Sequence, residues 1–319
     1  MAVIASAAGA LVAVAAIVVA VVYWLMYGDA RFPAAPSDIV VPGGSSVGDI
    51  ARQLQSEGVV SDARWLNLYI RLHGGGERIQ AAEYAFAPHE TVARTAAVLF
   101  AGGRPPAVWV TIPEGFTAQQ IAHRLAARGL VSSEADFMVM VRARALEGYL
   151  FPDTYLIPRG ASVEAIADQM HAQFRRHLPR DAVQAAKRLR FSVAQIVTIA
   201  SMVEREAKID AERALIASVI YNRLRRGMPL EIDATVEYAL PHYKAELSYA
   251  DIAIDSPYNT YTHTGLPPGP ISNPGRASLV AAFHPAASPF LYYVSKGNGH
   301  HAFSETLEEH QANVRKYLR

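Results

Sequence analysis

An internal repeat constrains the fold of this chain more than any other feature of its sequence. Residues 39–71 match residues 110–142 without a gap, and the shared positions are mainly prolines, glycines and apolar residues. They include Pro42 with Pro113, Gly44 with Gly115, Ile50 with Ile121, Leu54 with Leu125, Gly58 with Gly129 and Ser61 with Ser132. Each copy has the pattern of a short strand, a Pro/Gly turn, an amphipathic helix that ends at a glycine, and a second helix. The sequence therefore predicts a duplicated βαα unit.

The predicted unit resembles the LysM-like module that binds peptidoglycan. Further strand-like segments at 81–88 and 107–113 would lie at its edges. The same pattern occurs in many small α+β domains, so a purely structural role for both copies is the alternative. The pattern alone leaves both roles open.

The N-terminal segment from Met1 to Gly28 contains no charged side chain and consists mainly of Ala, Val, Ile and Leu. About 20 apolar residues suffice to cross a bilayer, and Tyr23, Trp24 and Tyr27 would lie at one interface. A cleaved signal peptide is the alternative, but it would place a basic segment before a shorter apolar core. The sequence favours an uncleaved membrane anchor. Charge does not support an outward-facing domain, because no Lys or Arg precedes the span whereas Arg31 follows it.

The succession of patterns predicts an α+β fold in four segments. A transmembrane anchor (1–28) and a Pro/Ala-rich linker (29–37) precede a small LysM-like α+β module (38–106) and a catalytic domain (107–319). The second βαα copy (110–142) would open the catalytic domain, and a mainly helical core with long loops and short strands would follow from about residue 148. Helices of this core are predicted at 162–178, 181–189, 193–208 and 211–226.

Composition and motifs exclude several classes of function. The net charge of +1 with 18% charged residues does not suggest a nucleic-acid-binding surface. The absence of cysteine excludes disulfides, thiolate metal sites and a Cys nucleophile. No HExxH, GxSxG or SxxK motif occurs, so His284, His300, His301 and His310 are not read as metal ligands, and serine catalysis is not expected. We expect neither a metal nor a cofactor.

Two carboxylates, Glu204 and Glu206, stand in the otherwise apolar run IASMVEREA. Apolar residues recur at intervals of three and four on both sides of the segment, which predicts a helix buried on most of its surface. Burial favours the neutral form of a carboxyl group, which would suit a general acid. The alternative is a structural ion pair with Arg205, Arg213 or Arg223. The periodicity does not distinguish the two acids.

Long polar loops follow the helical segments. The sequence SPYNTYTHTGLPPGPISNPG begins at Ser256, and long ordered loops rarely serve packing alone. Asn259, Thr260, Tyr261 and Asn273 offer the neutral hydrogen-bonding groups that sugar hydroxyls and acetamido groups require. The loops therefore favour a carbohydrate cleft.

Five strings, in this order, carry a resemblance to a known family: SMVEREA, ASVIYNRLRRGMPLEIDATVEY, SPYNTYTHTGLPPGPISNPG, AAFHPAASPFLYYV and GHHAFSETLEEH. They resemble the endolytic murein transglycosylase family (YceG-like, or MltG), and the likeness covers nearly the whole chain. It implies that Glu204 is the catalytic acid and Glu206 its structural neighbour. It also implies a group of residues along the glycan cleft, which are Asn222, Asp233, Tyr258, Asn259, Thr260, Tyr261, Gly265, Pro267, Pro268, Asn273, Pro274, Gly275 and His284. Three positions, Ala234, His300 and Gln311, depart from the family pattern and put loop shapes in doubt.

The resemblance implies an anchored enzyme of the bacterial inner membrane whose catalytic domain faces the periplasm. It would cleave the MurNAc–GlcNAc bond of nascent glycan strands, leave 1,6-anhydro ends and terminate elongation, with peptidoglycan synthases as partners. One carboxyl would serve as acid and then as base. The alternatives are a muramidase-type hydrolase that uses Glu204 with Asp233 or Glu206, and a non-catalytic glycan-binding scaffold of the synthesis machinery.

Overall fold

The structure is a computed structural model that describes residues 2–28, 37–88, 90–242, 244 and 247–318, with side chains from Leu11 onward. The linker predicted at 29–37 lies outside the described residues, apart from Ser37. The chain divides into two compact units, Met1–Ala107 and Val108–Arg319.

The first unit combines a two-stranded sheet with helices. Its elements are α1 (Ala2–Tyr27), β1 (Ser37–Val41), α2 (Val47–Ser56), α3 (Ala63–Leu72), β2 (Ala82–Phe86) and α4 (Val92–Ala101). Strands β1 and β2 pair antiparallel, with Val41 opposite Ala82. Leu54, Leu66 and Leu99 from the three shorter helices are fully buried in one core with Tyr84 of β2.

Helix α1 carries the uncharged sequence for which a membrane anchor is predicted. Among the residues that the structure describes, no helix is long and apolar enough to cross a membrane. The anchor stays a prediction.

The second copy of the repeat opens the second unit with the same order of elements as the first. These elements are β3 (Ala107–Thr111), α5 (Ala118–Ala127), α6 (Glu134–Ala143), β4 (Thr154–Pro158) and α7 (Val163–His177). Ser46 and Thr117 each cap the first helix of their copy in a capping box. Gly58 and Gly129 follow these helices with φ angles of +75° and +63°, a conformation that glycine adopts without steric cost. Each copy thus continues into a pairing strand and a third helix.

The rest of the second unit is mainly helical. It contains α8 (Ala182–Leu189), α9 (Val193–Glu206), α10 (Asp210–Arg225), α11 (Asp233–Ala239), α12 (Tyr249–Ile252), α13 (Arg276–Phe283), β5 (Tyr292–Ser295), β6 (His301–Ser304) and α14 (Leu307–Tyr317). Helix α9 is central, because it packs against α8, α10, α11 and α13. Every residue from 196 to 203 is buried, as the apolar pattern on both faces predicts.

Candidate active site

The two acids of the central helix lie in its last turn. Helix α9 ends at Glu206, two residues earlier than predicted, because Ala207 leaves the helical conformation with φ −75° and ψ 126°. Carboxylates are disfavoured at this end of a helix, where the backbone dipole is negative. Their placement therefore needs compensating contacts or a functional reason.

Glu204 receives a hydrogen bond at each carboxylate oxygen. Arg213 Nη1 donates to Oε1 at 3.2 Å, and the Gly275 N–H donates to Oε2 at 2.9 Å. The side chain of Glu204 is only 5% exposed. Arg213 also donates to Asp210 Oδ1 at 2.9 Å and to the Ser278 hydroxyl. The prediction of an apolar environment for Glu204 is therefore wrong, because Glu204 forms an ion pair with Arg213.

Of the three arginines considered as partners, only Arg213 contacts Glu204 among the described residues. Arg205 pairs with Glu237 at 2.6 Å, and Arg223 pairs with Glu231 at 2.8 Å. Arg213 comes from α10, so the ion pair also joins the two helices. The ion pair of the structural interpretation and the candidate acid of the catalytic interpretation are therefore both found at Glu204.

Glu206 is the acid of this helix whose surroundings favour protonation. Burial raises the pKa of Glu206 to about 7, and the charges of Asp233 and Glu237 act in the same direction. The Tyr293 hydroxyl opposes them by donating to Glu206 Oε2 at 2.9 Å. The raised pKa that the sequence predicts for an acid of this helix belongs to Glu206.

A cleft of about 450 Å³ opens beside both acids. Its lining includes Glu114, Gly115, Glu204, Glu206 and Asp233, together with Phe116, Lys208, Arg205 and Glu237. Asp233 is the first residue of α11 and accepts a hydrogen bond from the Tyr261 hydroxyl. Of the residues predicted along the glycan cleft, Asp233 therefore lies in it, and Tyr261 holds Asp233 there.

Several other predicted cleft residues hold loops in place. Asn222 donates to the carbonyls of Ser288 and Phe290 at 2.9 and 2.8 Å. Asn259 is fully buried and donates to the carbonyls of Ile252 and Ile254, both at 2.8 Å. These amides satisfy backbone groups that the loops would otherwise leave unpaired.

Thr260 and Asn273 are also fully or almost fully buried. The Thr260 hydroxyl accepts the Ile232 N–H at 3.0 Å, which fixes the chain just before α11. Asn273 Oδ1 accepts the Leu150 N–H at 2.8 Å, and its Nδ2 donates to the Phe116 carbonyl at 2.9 Å. Asn273 thereby connects the turn at residues 113–117 to the segment before β4.

Of the other predicted residues, Tyr258 packs on an aromatic ring, whereas His284 and three loop residues line neighbouring cavities. Tyr258 packs its ring on Tyr238 at 4.9 Å. His284 contacts Asp181 at 3.1 Å and lines a cavity of about 580 Å³ with Glu114, Arg213 and Arg276. The loop residues Gly265, Pro267 and Pro268 line a different cavity of about 620 Å³ whose lining does not include Glu204.

Sequence reasoning missed Glu114, Ser278 and Tyr293. A signal for Glu114 exists in the repeat, because the first copy has Gly43 where the second has Glu114. Ser278 and Tyr293 lie 74 and 89 positions beyond Glu204 by residue number, and no local pattern marks them.

The fold and the site define an α+β protein in which a carboxylate-lined cleft lies at the end of a buried central helix, beside the second copy of a strand–helix–helix repeat. The chain belongs to the YceG-like family, whose model matches residues 39–316.

Three similar proteins extend this result. The chain is 34% identical to an endolytic murein transglycosylase of Bacillus subtilis (strain 168), over 88% of this chain and 84% of that protein. It is 30% identical to an endolytic murein transglycosylase of Streptococcus pneumoniae serotype 2, over 87% of this chain but only 58% of that longer protein. The 2.6 Å crystal structure of a putative YceG-like protein from Listeria monocytogenes matches with a TM-score of 0.58 and 32% identity, over 88% of this chain and 99% of that one.

Proposed function

We propose that this chain is an endolytic murein transglycosylase that cleaves the MurNAc–GlcNAc bond within glycan strands and leaves 1,6-anhydro-MurNAc ends. The observation that carries the proposal is Glu204, a carboxylate that both Arg213 and the Gly275 N–H orient at the wall of an open cleft. The names of the similar proteins, which align with most of this chain, support the same reaction.

In the proposed mechanism one carboxyl group acts twice. Protonated Glu204 gives its proton to the glycosidic oxygen as the bond from that oxygen to C1 of the muramyl sugar breaks. The resulting carboxylate then takes the proton of the C6 hydroxyl as O6 bonds to C1. No water enters the product, and Glu204 is protonated again at the end.

Arg213 and Gly275 have a defined part in this cycle. Their N–H groups stabilise the carboxylate that exists after the first proton transfer, and they hold it in one orientation for the second. Because the side chain of Arg213 is itself held by Asp210 and Ser278, the carboxylate needs little reorganisation between the two steps.

The cellular setting forms part of the same proposal. The uncharged segment from Met1 to Gly28 would anchor the enzyme in the inner membrane, with the catalytic unit in the periplasm near peptidoglycan synthases. Cutting nascent strands there would terminate their elongation, and the LysM-like module would add glycan contacts. Membrane fractionation of the full chain and of a chain that begins at Ser37 tests the anchor, which requires the first in the membrane and the second released.

A muramidase-type hydrolase is the second candidate. It is favoured by one observation, namely that Glu114, Glu206 and Asp233 line the same cleft as Glu204 and offer the second carboxylate that such enzymes use. A hydrolase adds water to the new end of the glycan strand, whereas a lytic transglycosylase closes that end with the sugar's own C6 hydroxyl.

Cleavage in ¹⁸O-labelled water separates the two candidates. Uncrosslinked glycan strands are incubated with the enzyme, and the new ends are analysed by mass spectrometry. We expect unlabelled 1,6-anhydro ends. Labelled reducing ends would establish the hydrolase instead, and the absence of any cut would favour the non-catalytic scaffold.

A further inference from the structure

Glu114 is a carboxylate in the cleft that the fold of the repeat does not require. The equivalent position of the first copy is Gly43, and that copy forms the same strand, turn and helices. Among the described residues, no hydrogen bond or ion pair satisfies the carboxylate of Glu114, although the chain is rich in arginine. An acid that the fold does not need and whose carboxylate no donor holds points to function.

The position of Glu114 is opposite Glu204. A Cβ atom added to Gly275 would overlap the Glu114 carboxylate, while the N–H of the same glycine donates to Glu204 Oε2 at 2.9 Å. A Cβ at Gly115 would lie 3.6 Å from Cγ of Glu204. Glu114 also lines both the 450 Å³ cleft and the 580 Å³ cavity, so it lies where the two adjoin.

The turn that carries Glu114 is fixed on both sides. The Gly115 N–H donates to the Asn273 carbonyl at 3.0 Å, and the Asn273 N–H donates to the Phe116 carbonyl at 2.8 Å. Just before the turn, the Ile112 N–H donates to the Asp153 carbonyl at 2.9 Å. These bonds hold a second carboxylate near the first, although like charges repel.

The electrostatics of Glu114 agree with this geometry. Partial burial and then the charge of Glu204 raise the pKa of Glu114, whereas the Arg213 guanidinium lowers it and Asp210 raises it. The repulsion between two carboxylates is mutual, so the charge of Glu114 acts on Glu204 in turn.

The proposed function, on which this inference rests, requires a proton at the site near neutral pH. The donors that orient Glu204, Arg213 and the Gly275 N–H, favour its ionised form. We propose that Glu114 is a positioning residue for the catalytic proton: its charge, held opposite Glu204, offsets those donors and keeps one proton on the carboxylate pair until the sugar accepts it. Glu114 acts through Glu204 and exchanges no proton with the substrate.

Other charged groups face Glu114 and Glu204 from the elements that pack around them. Asp210 and Arg213 face it from α10, and Arg276 and His284 lie at the two ends of α13. Across the cleft lie Glu206, Lys208 and Asp233, together with Arg205 and Glu237, which pair with each other. Of these groups, Glu206 has a pKa raised to about 7 by burial, and His284 is an imidazole. The test therefore compares variants that leave both unchanged.

The test is the pH dependence of anhydro-end formation by the full chain and its Glu114→Gln variant between pH 5 and 9. We expect the activity of the parent to fall on the alkaline side as the carboxylate pair loses its proton. Removing the charge of Glu114 should move this alkaline limb toward lower pH by about one unit. The variant would then be about tenfold slower than the parent at a pH above the limb and nearly equal to it below.

Two further variants distinguish an electrostatic effect of Glu114 on Glu204 from a purely structural role of Glu114. Glu114→Asp keeps the charge and should keep the alkaline limb of the parent, whereas Glu164→Gln removes an exposed acid of α7 and should change nothing. The inference is overturned if the alkaline limb of Glu114→Gln lies at the same pH as that of the parent. This holds whether the variant forms anhydro ends at the rate of the parent or more slowly at every pH. Since the parent must form anhydro ends for any profile to be recorded, failure of the proposed function would be recognised first and separately.

Discussion

The two copies of the repeat share one scaffold and differ in what their turns contact. In the first copy the turn after β1 carries Gly43, where an added Cβ would meet nothing closer than the Ala81 Cβ at 3.7 Å. In the second copy the turn after β3 carries Glu114 and is bonded through Gly115 to Asn273. The comparison shows how the turn of the second copy becomes a wall of the cleft: Glu114 and Phe116 stand where the first copy has Gly43 and Ser45, and the buried Asn273 bonds to the backbone of the turn.

Carboxyl groups of the two units also differ in how their surroundings shift the pKa. In the first unit, hydrogen bonds from Ser46 lower the pKa of Asp49, and those from Arg64 lower the pKa of Asp62, both at exposed helix starts. In the second unit, burial raises the pKa of Glu147 and of Glu206 to about 7. The second unit has such helix-start acids too, among them Asp251 and Glu309, but its buried acids Glu147 and Glu206 are held at a stability cost, as expected beside a site that handles protons.

Loss of the asparagine that fixes the second turn should have the largest effect on stability. Asn273→Ala leaves the Leu150 N–H and the Phe116 carbonyl without side-chain partners in a fully buried setting. We expect a loss of about 3 kcal/mol in the free energy of unfolding, measured with urea, and a large loss of activity. In the first copy, Ser45→Ala removes an exposed hydrogen bond to the Pro42 carbonyl and should cost less than about 0.5 kcal/mol. Equal losses of unfolding free energy in the two variants would contradict the proposed difference between the two turns.

Removal of the Glu206 carboxyl should change how stability depends on pH. Its pKa of about 7 in the fold lies above the ordinary value of 4.5, so the folded protein binds more protons than the unfolded chain between these values. The free energy of unfolding therefore falls as pH rises through this window. We expect the free energy of unfolding of the parent to fall by about 2 kcal/mol, which is less than the full pKa shift implies because the side chain of Glu206 is partly exposed. Glu206→Gln should abolish this fall.

Urea unfolding of the parent and of Glu206→Gln at pH 5 and pH 8 measures this effect. Asp49→Asn in the first unit is the control, because a carboxyl group with a lowered pKa is ionised at both pH values, so its removal should cost the same at each. A parent whose stability does not fall relative to Glu206→Gln between the two pH values would contradict the contrast between the units.

Displacement of Glu114 without loss of its charge should have a smaller effect on stability than on activity. Gly275→Ala introduces a Cβ where the Glu114 carboxylate lies, and this flexible side chain can move aside. The Gly275 N–H to Glu204 remains. We expect a loss of less than about 1 kcal/mol in the free energy of unfolding, with a severalfold slower formation of anhydro ends at pH 8. Unchanged activity would show that the position of Glu114 is unimportant.

Transfer of the acid to the first copy should have the smallest effect of all. Gly43 has ordinary space for a Cβ and lies in an exposed turn, so Gly43→Glu should alter the free energy of unfolding by less than about 0.5 kcal/mol and leave turnover unchanged. A marked loss of activity in this variant would show that the first turn also contributes to the reaction.

The local elements could be predicted well, because they follow from spacing along the chain. Helices predicted at 162–178, 181–189, 193–208 and 211–226 correspond to α7, α8, α9 and α10 with shifts of one or two residues at their ends. Capping serines and terminal glycines marked the starts and ends of the repeat helices. The helix that carries Glu204 was therefore accessible from sequence.

The surroundings of the acids could not be predicted, because they are made by residues distant in sequence. Glu204 is held by Gly275, and Glu206 by Tyr293, and both lie on segments without periodic pattern. The loop asparagines had the right chemistry for sugar recognition, yet Asn259 and Asn273 satisfy buried backbone groups instead. Side-chain type alone does not distinguish these two uses of an amide.

The rate of anhydro-end formation by Glu204→Gln tests the central claim most directly. Gln keeps the size of the side chain and can still accept from Arg213 or Gly275, so urea unfolding verifies that the variant is folded. We predict that wild-type protein cuts uncrosslinked glycan strands to 1,6-anhydro ends and that the folded variant is slower by about 10³-fold. A folded Glu204→Gln variant that forms these ends at the wild-type rate would contradict the account.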